Sequence, residues 1–319
     1  MPGAAPVVSV IIPAYRRADF TNQTVASVAR QTFTDYEIIV VDDGSGDDIV
    51  RDYQFPPSVR LIRRETNSGH PSVPRNEGIR AARGRYLAFL DMDDIWLPEK
   101  LATQVALLDA RPEVGVTFCH YQEVDEVQHL LAKQRPPTRV TGDALRQMLN
   151  FCFIRTPSQT LIRRTALEAA GVFDEGIFGG EDWDLWLRLA AGTQFHADPT
   201  CAVLYRRSPS QLSRNRLRMR LGNVAVLEKT RHWCTEERPD LLPHLRYQLA
   251  VQYYQYAKLQ IARQEEIPAI YRTVKTAVAC HPGALRAYQG FFRLAFYALK
   301  RRLMGDRLAD DAVVRRPVK

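Results

Sequence analysis

The sequence has no apolar run near the roughly 18–20 residues that a membrane-spanning helix requires, although 45% of its 319 residues are hydrophobic. Its start, MPGAAPVVSVIIPAY, lacks the basic residues and the small-residue cleavage site of a secretion signal, and the apolar part reads as a strand. The five cysteines, at 119, 152, 201, 234 and 280, form no CxxC pair. That argues against a disulfide frame or a zinc site and for reduced, mostly buried thiols, which points to a cytoplasmic protein. The seven histidines form no metal-like cluster. No GxSxG, Walker A or GxGxxG pattern is present.

Charge is plentiful but unevenly placed. Residues 1–204 hold 21 Lys+Arg against 27 Asp+Glu, a net of −6, whereas residues 205–319 hold 23 against 9, a net of +14. An excess of this size on one segment implies an anionic neighbour such as phosphate, nucleic acid or a membrane surface.

The first half alternates strand and helix signals. VVSVIIP, YEIIVVDDGS, VRLIRR, RYLAFLD and VGVTFCHYQEV read as apolar, β-rich strands. Between them TNQTVASVARQT reads as a helix capped by Thr21 or Asn22, PRNEGIRAAR as a short helix ended by Gly84, and Glu99–Ala110 as a third. Continuous apolar strands separated by helices predict a mostly parallel sheet with covered faces, whose ligands bind at the carboxyl ends of the strands. Further on, QRPPTR reads as a loop, GDALRQMLN as a helix, SQTLIRR as a strand, a helix begins near Glu181, and TQFHADPTCAVLYRR returns as strands. Beyond about Pro209 the pattern is helical. The expected organisation is an α/β domain over 1–210, a basic α-helical domain over 211–305 and a flexible tail over 306–319.

Four stretches can carry chemistry. In YLAFLDMDDIWLP an apolar strand ends in three carboxylates within four residues, Asp91, Asp93 and Asp94. If the chain stays extended, Asp91 and Asp93 lie about 6.6–7 Å apart on one face and Met92 points into the core. Such a pair suits Mg²⁺ or Mn²⁺, and a cation would relieve the repulsion. A solvated turn, with Asp94 capping the next helix, is the alternative. In VVDDGSGDD alternation lets only one of Asp42 and Asp43 face a ligand, where it could accept from a nucleobase or a ribose; an Asp-Gly turn explains the same residues. In NSGHPSVPRNEGIR, Arg75 is either a phosphate ligand or a surface arginine, Asn76 can cap the following helix, and His70 is the one histidine near this region. In GGEDWDLWLRL, Glu181 and Asp182 fall at a helix start, as caps or as a base for a hydroxyl nucleophile. Trp183 and Trp186, on one helix side, are core or a sugar-stacking platform.

As an ordered set, VSVIIPAYRR, QTFTDYEIIVVDDGS, NSGHPSVPRNEGIRAARGRYLAFLDMDDIWLPEKL, LIRRTALEAAGVFDE and GGEDWDLWLRL resemble the family 2 glycosyltransferases over about residues 6–210. The resemblance implies a GT-A fold and an inverting, metal-dependent transfer of sugar from a UDP-, GDP- or dTDP-sugar to an acceptor hydroxyl. By position it implies that Pro13, Ala14 and Tyr15 line the nucleotide site, that Asp43 meets the base and that Arg75 lies near the diphosphate. DMDD stands where the family has its DxD motif. Asp91 there approaches the ribose or the metal's waters, and Asp93 ligates Mn²⁺ or Mg²⁺. Asp182 is then the general base, with Glu181 beside it. The QxxRW motif and membrane spans of the processive members are missing, so one or a few additions are expected rather than a long polymer. Ser208 stands where the family often has a histidine after its Tyr-Arg lead, which speaks against a leaving-group role for this segment.

The acceptor that family analogy suggests is a glycan or a lipid-linked precursor of a cell-surface polysaccharide. The basic C-terminal helices fit contact with an anionic membrane on its cytoplasmic face. FFRLAFYALKRRLMG reads either as an interfacial helix beside its Lys300–Arg302 cluster or as an amphipathic helix packed on its neighbours. Nucleic acid is a poor fit, because the N-terminal sites already account for a phosphate ligand. A non-catalytic nucleotide-sugar-binding subunit is the main rival, and the intact acids at 43, 91, 93 and 182 argue against it. A sugar nucleotidyltransferase would need a glycine-rich loop after the first strand, and PAYRRADF has no glycine.

Overall fold

A computed structural model describes residues 5–131, 140, 143–208 and 211–304. The expected loop over QRPPTR and the expected flexible tail over 306–319 lie outside the described residues. The described chain divides into two compact units, one running to Gly176 and resuming at Glu181–Gln211, the other made of Ile177–Gly180 and the chain from Leu212 onward.

The first unit is a three-layer α/β structure on an eight-stranded sheet. In chain order its elements are β1 (Val8–Ala14), α1 (Ala18–Ala29), β2 (Tyr36–Asp42), α2 (Asp47–Arg51), β3 (Val59–Arg63), α3 (Ser72–Ala81), β4 (Tyr86–Phe89), β5 (Ile95–Trp96), α4 (Lys100–Ala110) and β6 (Val114–Val124). Then come α5 (Ala144–Asn150), a 3₁₀ turn (Pro157–Gln159), β7 (Thr160–Arg163), α6 (Arg164–Ala170), α7 (Glu181–Gly192) and β8 (Gln194–Arg206). The strand order is β3-β2-β1-β4-β7-β6-β8-β5. β3, β2, β1 and β4 are parallel to one another, and β6 is parallel to β8. β7 runs antiparallel to both β4 and β6, and β5 antiparallel to β8. The sheet is thus mostly parallel, as the apolar runs predict. Val8, Val10, Ile11 and Ile12 of β1 and Ile39, Val40 and Val41 of β2 are wholly buried, because helices cover both faces.

Three local differences from the expected elements have physical causes. α1 starts at Ala18, not after Thr21 or Asn22, since Ala18 and Phe20 are buried and Thr21 turns its hydroxyl back onto the Arg17 carbonyl. α3 starts at Ser72, so Asn76 lies inside it; its side chain instead holds the backbone of Phe173 in both directions, at 2.9 and 3.1 Å. β5 has two residues, too few to show a pattern. α3 lies close against β1 because residue 78 is glycine: a Cβ there would overlap the Ile11 side chain.

The second unit is helical: α8 (Arg216–Glu237), α9 (Leu242–Ala262), α10 (Ile267–Cys280) and α11 (Leu285–Met304). Ala257, Ile270, Val274, Leu294 and Tyr297 form one of its cores. Among the described residues no helix is long and apolar enough to cross a membrane.

Candidate active site

Strand order reverses at β1. The chain reaches β3 on one side of it and then crosses to β4 on the other, which opens a crevice at the carboxyl ends of β1 and β4. Pro13 and Ala14 end β1, and Tyr15 follows. The ends are laced together: the Tyr15 N–H donates to Met92 Sδ at 3.1 Å, Arg16 N–H to Ser45 Oγ at 2.7 Å, and Asp43 N–H to the Ala14 carbonyl at 2.8 Å. Arg16 and Arg17 both take left-handed backbone, at φ 55° and 48°. Two such residues in succession cost about 1 kcal/mol or more each, and they turn the chain from β1 into α1.

DMDD closes this crevice, but not as an extended strand. Residues 91–94 form a turn, with the Asp94 N–H on the Asp91 carbonyl at 3.0 Å. Strand alternation therefore does not govern these side chains. Met92 is half-buried at the edge of the core, held by its sulfur on Tyr15 and by its carbonyl, which accepts from Thr24 Oγ1 at 2.8 Å. Asp94 caps no helix. It is fully buried and accepts from Ser158 Oγ at 2.6 Å, Thr156 Oγ1 at 3.1 Å and the Arg206 N–H at 3.2 Å. Burial, then the charges of Asp93 and Asp91, push its carboxyl well above the usual range. Asp91 pairs with Arg75 Nη2 at 2.7 Å and accepts from Thr156 Oγ1 at 3.1 Å. Asp93 has far less: Gln211 Nε2 stands 3.4 Å away. Burial and the neighbouring Asp91 raise its carboxyl to about 6.

The acids after β2 are treated differently. Asp42 is buried under Tyr53 Oη at 2.8 Å and the Ser45 N–H at 3.2 Å. Asp43 is also buried. It accepts from Asn67 Nδ2 at 3.0 Å and Ser68 Oγ at 2.7 Å, and pairs with Arg64 at 2.9 Å. Gly44, at φ +75°, makes the turn between Asp43 and this loop; a Cβ there would lie 2.5 Å from the backbone of Thr66 and Asn67. His70 caps α3, its Nδ1 accepting from the Ser72 N–H at 3.2 Å.

Arg75 joins the two halves of the site. It is 5% exposed, not a surface arginine, and lies with one nitrogen on Asp91 and the other 3.4 Å from Glu181 Oε1. Burial works against its charge, yet Asp91 and Glu181 hold its pKa above the ordinary value. Asp182 sits next to Glu181 at the start of α7, partly open to solvent. Burial, then the charge of Glu181, raises its carboxyl to about 7, with Arg75 opposing. A carboxylate with that pKa is poised to take a proton near neutrality. Trp183 and Trp186 are core: they are 7% and 0% exposed, and Trp183 Nε1 bonds the Met148 carbonyl at 3.0 Å.

Sequence reasoning missed Thr156 and Ser158. Their hydroxyls bridge Asp91 and Asp94, and the Asp91 N–H donates to Ser158 Oγ at 3.0 Å. They are fixed by a capping box in which Thr156 and Gln159 bond each other's backbone. The T-x-x-Q spacing is the signal that could have found them.

Among the described residues no three acids, histidines or thiols converge as a metal cage. A divalent ion of the Mg²⁺ type takes one or two carboxylates and completes its shell with water and substrate phosphate. Asp93, partly buried and weakly partnered, fits as such a ligand, with Asp91 as the second.

Comparisons with known proteins identify the family and the fold. A family model described as glycosyl transferase family 2 matches residues 9–171. An uncharacterized glycosyltransferase of Rickettsia bellii is 35% identical over 188 residues, which are 58% of this chain and 26% of that protein. The chain thus spans about a quarter of that relative's length. The Escherichia coli UDP-Glc:alpha-D-GlcNAc-diphosphoundecaprenol beta-1,3-glucosyltransferase WfgD is 28% identical over 217 residues, 66% of this chain and 81% of that protein. The crystal structure of S. aureus TarS in complex with UDP-GlcNAc superposes with a TM-score of 0.58 at 18% identity, covering 88% of this chain and 91% of that one, which shows a shared fold.

Proposed function

The chain belongs to glycosyl transferase family 2, and on that premise we propose that it moves a sugar from a nucleotide-diphosphate donor to an acceptor hydroxyl with inversion. One observation carries the proposal. Arg75 is held between Asp91 and Glu181, so the acid cluster after β4 and the carboxyl of Asp182 flank a single guanidinium at the crevice where the strand order reverses.

In this reading Pro13, Ala14 and Tyr15 form the wall of the nucleotide subsite. Asp43 orders the 64–68 loop and faces the base with whatever accepting capacity that loop leaves. Asp93 and Asp91 hold Mg²⁺ or Mn²⁺, which when bound neutralises charge on the leaving diphosphate. Arg75 stands near the diphosphate region, and its two carboxylate partners let it fix the distance between the two acid groups. Asp182, ionised, takes the proton of the acceptor hydroxyl as its oxygen bonds to the anomeric carbon and the sugar–phosphate bond breaks.

A UDP-sugar donor is favoured by the UDP-sugars named for the Escherichia coli and S. aureus proteins, with GDP- and dTDP-sugars next. The diphosphoundecaprenol acceptor of the former supports a glycan or lipid-linked acceptor in cell-surface polysaccharide assembly, and five widely spaced cysteines with no CxxC pair suit the cytoplasm. A thermal-shift screen of nucleotide sugars with and without Mn²⁺ tests the donor class. The true donor should raise the melting temperature, more so with the metal; a screen in which no nucleotide sugar shifts it would count against the proposal.

A further inference from the structure

We infer that the outer face of α11 and the adjoining side of α10 form a docking surface for an anionic phospholipid bilayer. The inference rests on the helical unit alone and is independent of the reaction assigned above.

α11 has two opposite apolar faces. Leu294 and Tyr297 are buried against the core shared with Ile270 and Val274 of α10. Tyr288, Phe292, Phe296 and Leu299, spaced four, four and three residues apart, lie along the other side. Packing does not cover them: Phe292 is 77% exposed, Phe296 71% and Leu299 54%. The stripe continues sideways onto α10, where the exposed Tyr271 ring stands 6.1 Å from Phe291. Isolated exposed apolar residues are ordinary, but a contiguous aromatic patch across two helices marks an interaction surface.

Charge identifies what the surface fits. Within α10 and α11 there are seven lysines and arginines and no aspartate or glutamate. Arg293, which is exposed, and Lys300 follow the aromatic stripe along one flank. Aromatic and leucine side chains with a basic border match the acyl–headgroup boundary of an anionic membrane. A second copy of the chain is a poorer occupant. Two-fold pairing would bring the basic flanks together with no acid on either helix to compensate.

The test is co-sedimentation of the full chain with phosphatidylcholine vesicles, with and without phosphatidylglycerol, against the variant Phe292→Ser/Phe296→Ser. Both side chains are exposed, so the variant should melt like the wild type, and a melting curve checks this. The wild type should bind the anionic vesicles and not the neutral ones, and high salt should weaken the binding. The double variant should lose at least about tenfold in vesicle affinity. Equal binding of the variant, or no binding of the wild type to anionic vesicles, overturns the inference. So does self-association, or nucleic-acid binding without vesicle binding, that the same substitutions abolish. A chain that turns over donor but ignores vesicles overturns this inference and leaves the proposed reaction standing; one that binds vesicles without turning over donor does the reverse.

Discussion

Asp43 after β2 and Asp93 after β4 look alike in sequence and follow nearby parallel strands, yet the protein treats them in opposite ways. Asp42 and Asp43 are surrounded by their own tyrosine, serine, asparagine and arginine partners. Asp93 and Asp182 are left with their charge poorly compensated, and their carboxyls are driven up to about 6 and about 7. The difference separates two uses of an acid withdrawn from water. Where the protein supplies the partners, the acid orders a loop. Where it does not, the fold bears the cost of a poorly compensated acid, which marks the place as a candidate site.

Substitutions should expose this difference. Asp93→Asn is expected to lower sugar transfer by about 10²–10³-fold while leaving the melting temperature unchanged or higher. The fold holds the Asp93 proton more tightly than the unfolded chain does, so ionisation above about pH 6 costs stability, on the order of 1 kcal/mol once solvent contact is allowed for. Stability of the wild type should accordingly rise as pH falls from 7 towards 4 on account of this group, and that contribution should vanish in the variant, as thermal melts at several pH values would show.

The pH profile of activity is the next effect in size. A base must be ionised, so with the Asp182 carboxyl at about 7, kcat/KM should fall about tenfold per pH unit below that value and level off above it. Thr156→Val removes the hydroxyl that bridges Asp91 and Asp94. As a positioning residue it should lower kcat by roughly tenfold, with a smaller change in donor KM, and Thr156→Ser should restore most of it. Asp43→Asn should show the reverse of Asp93→Asn. Stability should fall by about 1–3 kcal/mol, because Arg64 loses one of its two carboxylate partners, Glu77 being the other, and the Ser68 loop loses a charged acceptor. Turnover at saturating donor should change only a few-fold.

The parallel half of the sheet was legible because VSVIIPA and YEIIVVD are apolar on both faces, and the acids at their ends could be placed by the rule for strand termini. The ordered motifs made the family legible as well. What the sequence hid were effects of tertiary contact. Alternation failed at Asp91–Asp94 because the strand ends at Phe89 and the chain turns. Thr21 and Asn22 resemble caps, but burial of Ala18 and Phe20 starts α1 earlier. Arg75 could also be read as a surface residue, since its partner Glu181 lies 106 residues away in the chain. Nothing local distinguishes Asp43, which has several partners, from Asp93, which has one long contact to Gln211, because those partners come from other loops.

The central claim is that Asp182 acts as the base of a sugar transfer beside the Arg75-linked acid cluster. Measuring nucleotide release from the donor that gives the largest thermal shift, with Mn²⁺ and an acceptor, for the wild type and Asp182→Asn tests it most directly. Donor binding should be unchanged and turnover should fall by about 10²–10⁴-fold. Equal turnover by a variant that binds donor normally would contradict it.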